Sequence, residues 1–284
     1  MKRLSIYMLA AGMAALSTSC SDFLDTVPKD QLAPSTTWQT EADAKGFIVG
    51  CYKDLLDGNT LLYLDCGSDI GYNNFPWEGF RPWGDGSLSS SNPGQILYDY
   101  KSIRKANTFL ENVDKVTFSS DAVKANYVAQ AKAIRAYKYF LMNWWYGGVP
   151  IVTKVQDPVE SSFVPRSTTK ACIEFICNDL DIAADMLRAK TTNGGWNGDN
   201  YGRVTTASAM ALKGRVLLLW ASPLFNRAND ESRWAAAYEY IKESIKDINA
   251  CGNHLYTTGN NINGSDFAKM FTVIQNPEMV FGTL

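Results

Sequence analysis

Residues 65–94 read DCGSDIGYNNFPWEGFRPWGDGSLSSSNPG, a Gly- and Asn-rich stretch in which Tyr72, Phe75, Trp77, Phe80 and Trp83 are interleaved with Asn73, Asn74 and Arg81. A pyranose presents a C–H face that packs on an aromatic ring, while its hydroxyls need amide, guanidinium or backbone partners around it. This stretch supplies both kinds of group. The spacing of Trp77 and Trp83, six residues apart on a chain bent by Pro and Gly, would present two rings to successive sugars of one chain. The expected glycan-contacting set is therefore Tyr72, Asn73, Asn74, Trp77, Phe80, Arg81 and Trp83. A second ring-bearing loop, TTNGGWNGDNYG at 191–202, offers Trp196 and Tyr201. Peptides can use the same groups, so a peptide ligand stays open from these residues alone.

The same stretch carries Asp65, Asp69, Glu78 and Asp85. Two carboxylates beside a sugar-binding ring are the equipment of a glycoside hydrolase, and such an enzyme is one alternative, an interaction scaffold whose helices hold a membrane partner being the other. Other catalytic equipment is missing. The sole histidine, His254, has no HxxxH or HExxH companion, and no nucleophile elbow, Walker loop or dinucleotide fingerprint occurs. Neither a metal nor a cofactor is expected.

At the start of the chain Met1-Lys2-Arg3 is basic, Leu4–Leu16 is apolar and uncharged, and Ser17, Thr18 and Ser19 are small. That order is a secretory signal peptide, over residues 1–19. Its apolar run is shorter than the roughly 20 residues a membrane-spanning helix needs. Cys20 directly after the small residues resembles a bacterial lipobox, with Leu16 four places upstream where the usual pattern has it three. Cys20 is thus the expected lipid attachment point, giving the chain a membrane anchor. Residues 20–40 hold Pro28 and Pro34 without periodicity, as a tether would, and the domain proper is expected over 41–284.

Composition narrows the class. With 46% hydrophobic and 20% charged residues, the chain buries a sizeable core and is not disordered. A net charge of −2 with no basic run beyond the first residues argues against a nucleic-acid partner. Eight Trp and fourteen Tyr exceed what a core of this size asks for, so some rings are expected to face a ligand. Besides Cys20 there are Cys51, Cys66, Cys172, Cys177 and Cys251, an odd number without CxxC spacing. Cys172 and Cys177 lie about 140° apart around a helix, too divergent to bridge. All five read as small apolar side chains.

The elements that must position these groups are helices. Phe47, Cys51 and Leu55 recur four apart; Ile96, Tyr100, Ile103, Leu110 and Val113 form a stripe, as do Tyr127, Ala131, Ile134, Leu141 and Trp145. Ile173, Ile176, Leu180, Ala183 and Leu187 step by three and four, and so do Trp234, Tyr238, Ile241, Ile245 and Ile248, while Ala207–Ala221 is apolar enough to be buried. The pattern predicts an all-α chain of helical hairpins, 96–113 with 122–146 and 167–188 with 206–222. Patches such as WAAAY at 234–238 resemble tetratricopeptide units, without a fixed 34-residue period. The run YGGVP at 146–150 should end a long helix, with glycine in the left-handed region and Pro150 barring continuation.

Several collinear motifs resemble the SusD/RagB family of Bacteroidetes nutrient-binding lipoproteins. AQAKAIRAYKYFLMNWWYGGVPIV (129–152) is similar to the family's hallmark helix and the turn that follows it. CSDFLDTVPKD (20–30) resembles the lipidated start, YKSIRKANTFLENV (100–113) an early helix, and YGRVTTASAMALKGRVLLLWASPLFN (201–226) a later one. The resemblance implies a tetratricopeptide-like α-α superhelix anchored by lipid on the cell surface, at the outer membrane. It implies a binding protein without catalytic activity. It also implies a TonB-dependent transporter as partner and a glycan, less often a peptide, as cargo. Family members run longer, and NPEMVFGTL resembles a mid-sequence segment, so the chain is expected to represent an N-terminal portion.

Overall fold

The computed structural model describes residues 37–53, 55, 60, 63–157, 163–187, 202–258, 264–273 and 276–281. Among these the regular elements are all helices. In chain order α1 is Glu41–Tyr52, α2 Arg81–Asp85, α3 Tyr100–Asn112, α4 Asp121–Tyr146, α5 Thr169–Leu187, α6 Thr206–Ala221, α7 Glu231–Ala250 and α8 Ser265–Met270. Short 3-10 turns cover Leu64–Gly67 and Val113–Lys115, and the one extended pairing is an isolated bridge between Thr40 and Thr117. The all-α, tetratricopeptide-like expectation holds.

Side-chain oxygens start most of the long helices by accepting the first free backbone N–H groups. Thr40 and Asp43 form a reciprocal capping box on α1, and Thr205 and Ser208 do so on α6. Asp99 caps α3 through the amides of Lys101 and Ser102, Ser120 caps α4 through Val123, and Asp230 caps α7 through Ser232. The Asp99 cap corrects one boundary. The apolar stripe reaches back to Ile96, but α3 begins only at Tyr100, and Ile96 is exposed.

Helix α4 is the spine. It packs most extensively on α5 and also on α3 and α1; α5 then packs on α6, and α6 on α7. The main core joins α4 to α5 and α6 through Tyr139, Met142, Ile176, Leu180, Leu187 and Val216. A smaller core beneath α1 gathers Trp38, Ile48, Phe109 and Val116. Cys51, Cys66, Cys172, Cys177 and Cys251 form no disulfides among the described residues, and all but Cys177 are buried, as their residue type suggested. The α7 stripe behaves differently. The buried residues of the helix are Ala237 and Ser244, neither of them on the stripe, while Trp234, Tyr238 and Ile245 line an open apolar groove with Leu218.

A polar node ties three helices together inside this core. The Arg135 guanidinium (α4) donates to both oxygens of Asp179 (α5), at 2.8 and 3.0 Å, and to Asn107 Oδ1 (α3) at 2.7 Å. Lys132 adds a bond to Asp179 at 3.1 Å, and Phe175 lies under the guanidinium, 5.1 Å away. The node also holds the extended segment that follows α4. Asn107 Nδ2 donates to the Val152 carbonyl, and the Tyr139 hydroxyl accepts from Val152 N at 2.8 Å while donating to Val152 O at 3.1 Å. That double role needs a protonated phenol, and burial pushes the Tyr139 hydroxyl up to about 12.

The end of α4 departs from expectation in detail. Gly147 has φ 70 and ψ −140, so it is not in the left-handed helical region but in an extended region that glycine alone occupies readily. Arg166 then donates to the carbonyls of Tyr146 and Gly148, neutralising the negative end of the helix.

Candidate functional site

The ring-bearing stretch runs from Tyr63 to Asp99, between α1 and α3. It contains the 3-10 turn Leu64–Gly67 and the short helix α2, which Pro82 opens and Gly86, at φ 74, closes. The seven expected contact residues separate into an inner and an outer group.

Asn73 and Phe80 belong to the inside. Asn73 is 3% exposed; its Nδ2 donates to Glu78 Oε2 at 2.5 Å and its Oδ1 accepts from Phe75 N at 2.8 Å. Phe80 is 7% exposed, stacked on Tyr63 at 5.1 Å and edge-on to Trp83 at 5.1 Å. Both hold the loop from within, where their side chains meet protein rather than solvent. Trp83 is partly buried for the same reason. Its ring tilts against Trp145 of α4 with centroids 4.7 Å apart.

The outer group is Tyr72, 56% exposed, Trp77, 76% exposed, and Asn74, with Arg81 half-buried beside them. Trp77 pairs with Phe75, centroids 5.2 Å apart and planes at 34°, and Phe75 is itself 47% exposed. The expected pairing of Trp77 with Trp83 is therefore replaced by Trp77 with Phe75, two residues earlier. Arg81 Nη1 donates to the Asn74 carbonyl at 3.3 Å and its Nε to Asp85 at 3.4 Å, closing the turn that carries Trp77.

Two of the four loop carboxylates, Glu78 and Asp85, are engaged by their neighbours. Glu78 accepts from Asn73 and, at 3.5 Å, from the Tyr63 hydroxyl. Hydrogen bonds from Ser87, then Arg81, hold the Asp85 carboxyl below the usual carboxylate range. A general acid for glycoside cleavage needs the opposite shift. Among the described residues no group of three His, Cys, Asp or Glu could hold a metal ion, and no helix is long and apolar enough to cross a membrane. Cys20, Trp196 and Tyr201 lie outside the described residues, as does the whole of 1–36.

Trp145 is the residue that sequence reading missed. It falls on the α4 stripe and reads as core, yet it is 37% exposed and meets the loop. Its signal was the run Trp144-Trp145-Tyr146 at a helix end, three rings where two faces at most can be covered.

A family model, SusD-like, described as "Starch-binding associating with outer membrane", matches residues 22–218. A SusD-like protein of Formosa agariphila is 28% identical over 183 residues, 58% of this chain and 34% of its own length. A solved SusD-like protein of Bacteroides fragilis superposes with a TM-score of 0.71 at 23% identity, over 91% of this chain and 47% of that one. A solved laminarin-binding SusD-like protein does so with a TM-score of 0.58 at 23% identity, over 68% and 43%. The chain thus spans less than half the length of these proteins. At such identities the two structures establish the shared fold.

Proposed function

This chain belongs to the SusD-like family of starch-binding proteins that associate with the outer membrane, and from that premise we propose that it captures a glycan at the cell surface without cleaving it. Captured oligosaccharide or polysaccharide is passed to a TonB-dependent transporter in the outer membrane, and a lipid on Cys20 keeps the protein beside that partner. The observation that carries the reading is the exposed Phe75–Trp77 pair, with Tyr72, Asn74 and Arg81 near it in the chain. A pair of packed rings left 47% and 76% in water is a ready stacking surface for a sugar. A β-glucan such as laminarin and an α-glucan such as starch are the first ligands to test, since one solved neighbour binds the former and the family is described by the latter.

Trp77→Ala should weaken retention in starch- or laminarin-containing native gels by about tenfold or more, the usual cost of removing an aromatic anchor. Asn74→Ala should cost less, because water partly replaces a rim hydrogen bond. Undiminished retention by Trp77→Ala would remove the loop from the site, and release of reducing sugar by the wild-type protein would overturn the non-catalytic reading. For the anchor, Cys20→Ala should abolish labelling by radioactive fatty acid and release the protein from membranes. A mutant that still partitions into detergent would sink the lipoprotein assignment.

A further inference from the structure

We propose that Trp145, on the last turn of α4, is the positioning residue that holds the ring-bearing loop in its binding shape; its bearing on glycan affinity rests on the reading above. The geometry converges on Trp83. A Cβ at Gly67 would lie 3.3 Å from Trp83 Cε3 and 3.8 Å from Trp145 Cη2, and one at Gly94 would lie 2.6 Å from Trp83 Nε1. The indole therefore lies flush against the beginning of the loop at Gly67 and its return at Gly94, both of which have no side chain to obstruct it. Phe80, in the turn after Trp77, meets the same ring edge-on. Three separate parts of the loop thus share one central ring, and that ring rests on Trp145.

Trp145 has a firm footing. Trp144 stacks on it at 5.9 Å and Phe140 stacks on Trp144 at 5.9 Å, a series leading into the buried face of α4. The next residue fastens the loop's exit, since the Tyr146 hydroxyl accepts from Leu97 N at 3.0 Å. Within the loop, Gln95 N donates to Gly79 O at 2.6 Å, joining the return leg to the turn that follows Trp77. Rigidity therefore passes from the helical core through Trp145 and Trp83 to the turn carrying Phe75 and Trp77. A loop ordered before the ligand arrives avoids the entropy loss of ordering on binding.

Amide hydrogen exchange on the full chain reads this directly. In Trp145→Ala the amides of Phe75, Glu78, Gln95 and Leu97 should exchange about tenfold faster, while those of Arg135–Met142 within α4 keep their protection. Trp145→Phe, which restores a ring, should return the loop amides toward wild type. The circular-dichroism couplet of two coupled indoles, expected from the 4.7 Å pair, should vanish in both variants. Native gels with starch or laminarin should show Trp145→Ala weakened several-fold and Trp145→Phe largely recovered. Unchanged loop exchange in Trp145→Ala overturns the proposal, and so does Trp145→Phe behaving no better than alanine. If alanine unfolds the chain, Trp145→Leu takes its place with the same two criteria. The two readings fail separately. Fast loop exchange in Trp145→Ala with undiminished binding by Trp77→Ala keeps the positioning role and removes the glycan site. Weakened binding by Trp77→Ala with unchanged exchange does the reverse.

Discussion

Gly148→Ala is expected to melt on the order of 10 °C below wild type, or not to fold at all. A Cβ at this position would stand 2.0 Å from the Ser167 carbonyl oxygen and 2.8 Å from both Thr168 C and Thr169 N. All three are backbone atoms, so no rotamer change relieves the clash. The chain entering α5 crosses the chain leaving α4 at this point, with Ser167 N bonded to Val149 O at 3.3 Å and Arg166 bonded to the Gly148 carbonyl. Making room means lifting the start of α5 off α4, across the most extensive helix contact in the protein. Overpacking costs about 1–3 kcal/mol and occasionally more, and a backbone clash that no rotamer relieves falls at the top of that range. A domain of this size loses roughly 2–4 °C per kcal/mol. Gly147 is the control. Its φ of 70 strains any other residue, but an added Cβ would meet the nearest side-chain atoms only at 3.5 and 3.6 Å. Gly147→Ala should therefore cost about 1–3 kcal/mol, from backbone strain alone. Thermal melts of both variants decide the matter: a Gly148→Ala protein at least as stable as Gly147→Ala would mean that the crossing is misplaced.

Much of the fold was legible because its signals are local. The three-and-four spacing from Ile173 to Leu187 marks a helix whatever it packs against, and α5 spans Thr169–Leu187. The stripes mark helices but not where they begin, which the caps Asp99, Ser120 and Asp230 set for α3, α4 and α7. The loop was legible only in part, since an aromatic residue in a Gly-rich stretch does not announce which of its faces is covered. Trp77 and Trp83 have the same type and similar neighbours, yet one is 76% exposed and the other is pressed between Gly67, Gly94, Phe80 and Trp145. The difference lies in one ring contact between residues 62 positions apart, Trp83 and Trp145, and in backbone approaches that need a bare glycine. Asn73 misled for a related reason. A loop asparagine is an ordinary ligand partner and an equally ordinary turn-former, and here it bonds back to Phe75 N.

The polar node was not legible, because nothing local pairs Arg135 with a carboxylate 44 residues away. It nonetheless carries the second large expected effect. Asp179 is 1% exposed and Arg135 5%, and each bidentate bond is 2.8–3.0 Å long. Asp179→Ala would leave a buried guanidinium with two N–H groups unmatched and the Lys132 ammonium without this partner. Breaking one side of such a pair typically costs about 3–5 kcal/mol, since a buried charge then lacks compensation. The loss should reach beyond α4 and α5. Asn107, which accepts from Arg135, also donates to Val152 O, so the extended segment after α4 loosens with the node. Denaturant titration should show the Asp179→Ala midpoint well below wild type. Asp179→Asn should fall between, keeping an acceptor but losing the charge. The double variant Arg135→Met, Asp179→Leu separates the two components: it removes both charges and fills similar volume, so it should be more stable than Asp179→Ala alone. If the double variant is the less stable of the two, the pair contributes a net favourable interaction larger than its desolvation cost, and the account of an expensive but mutually compensated pair is wrong.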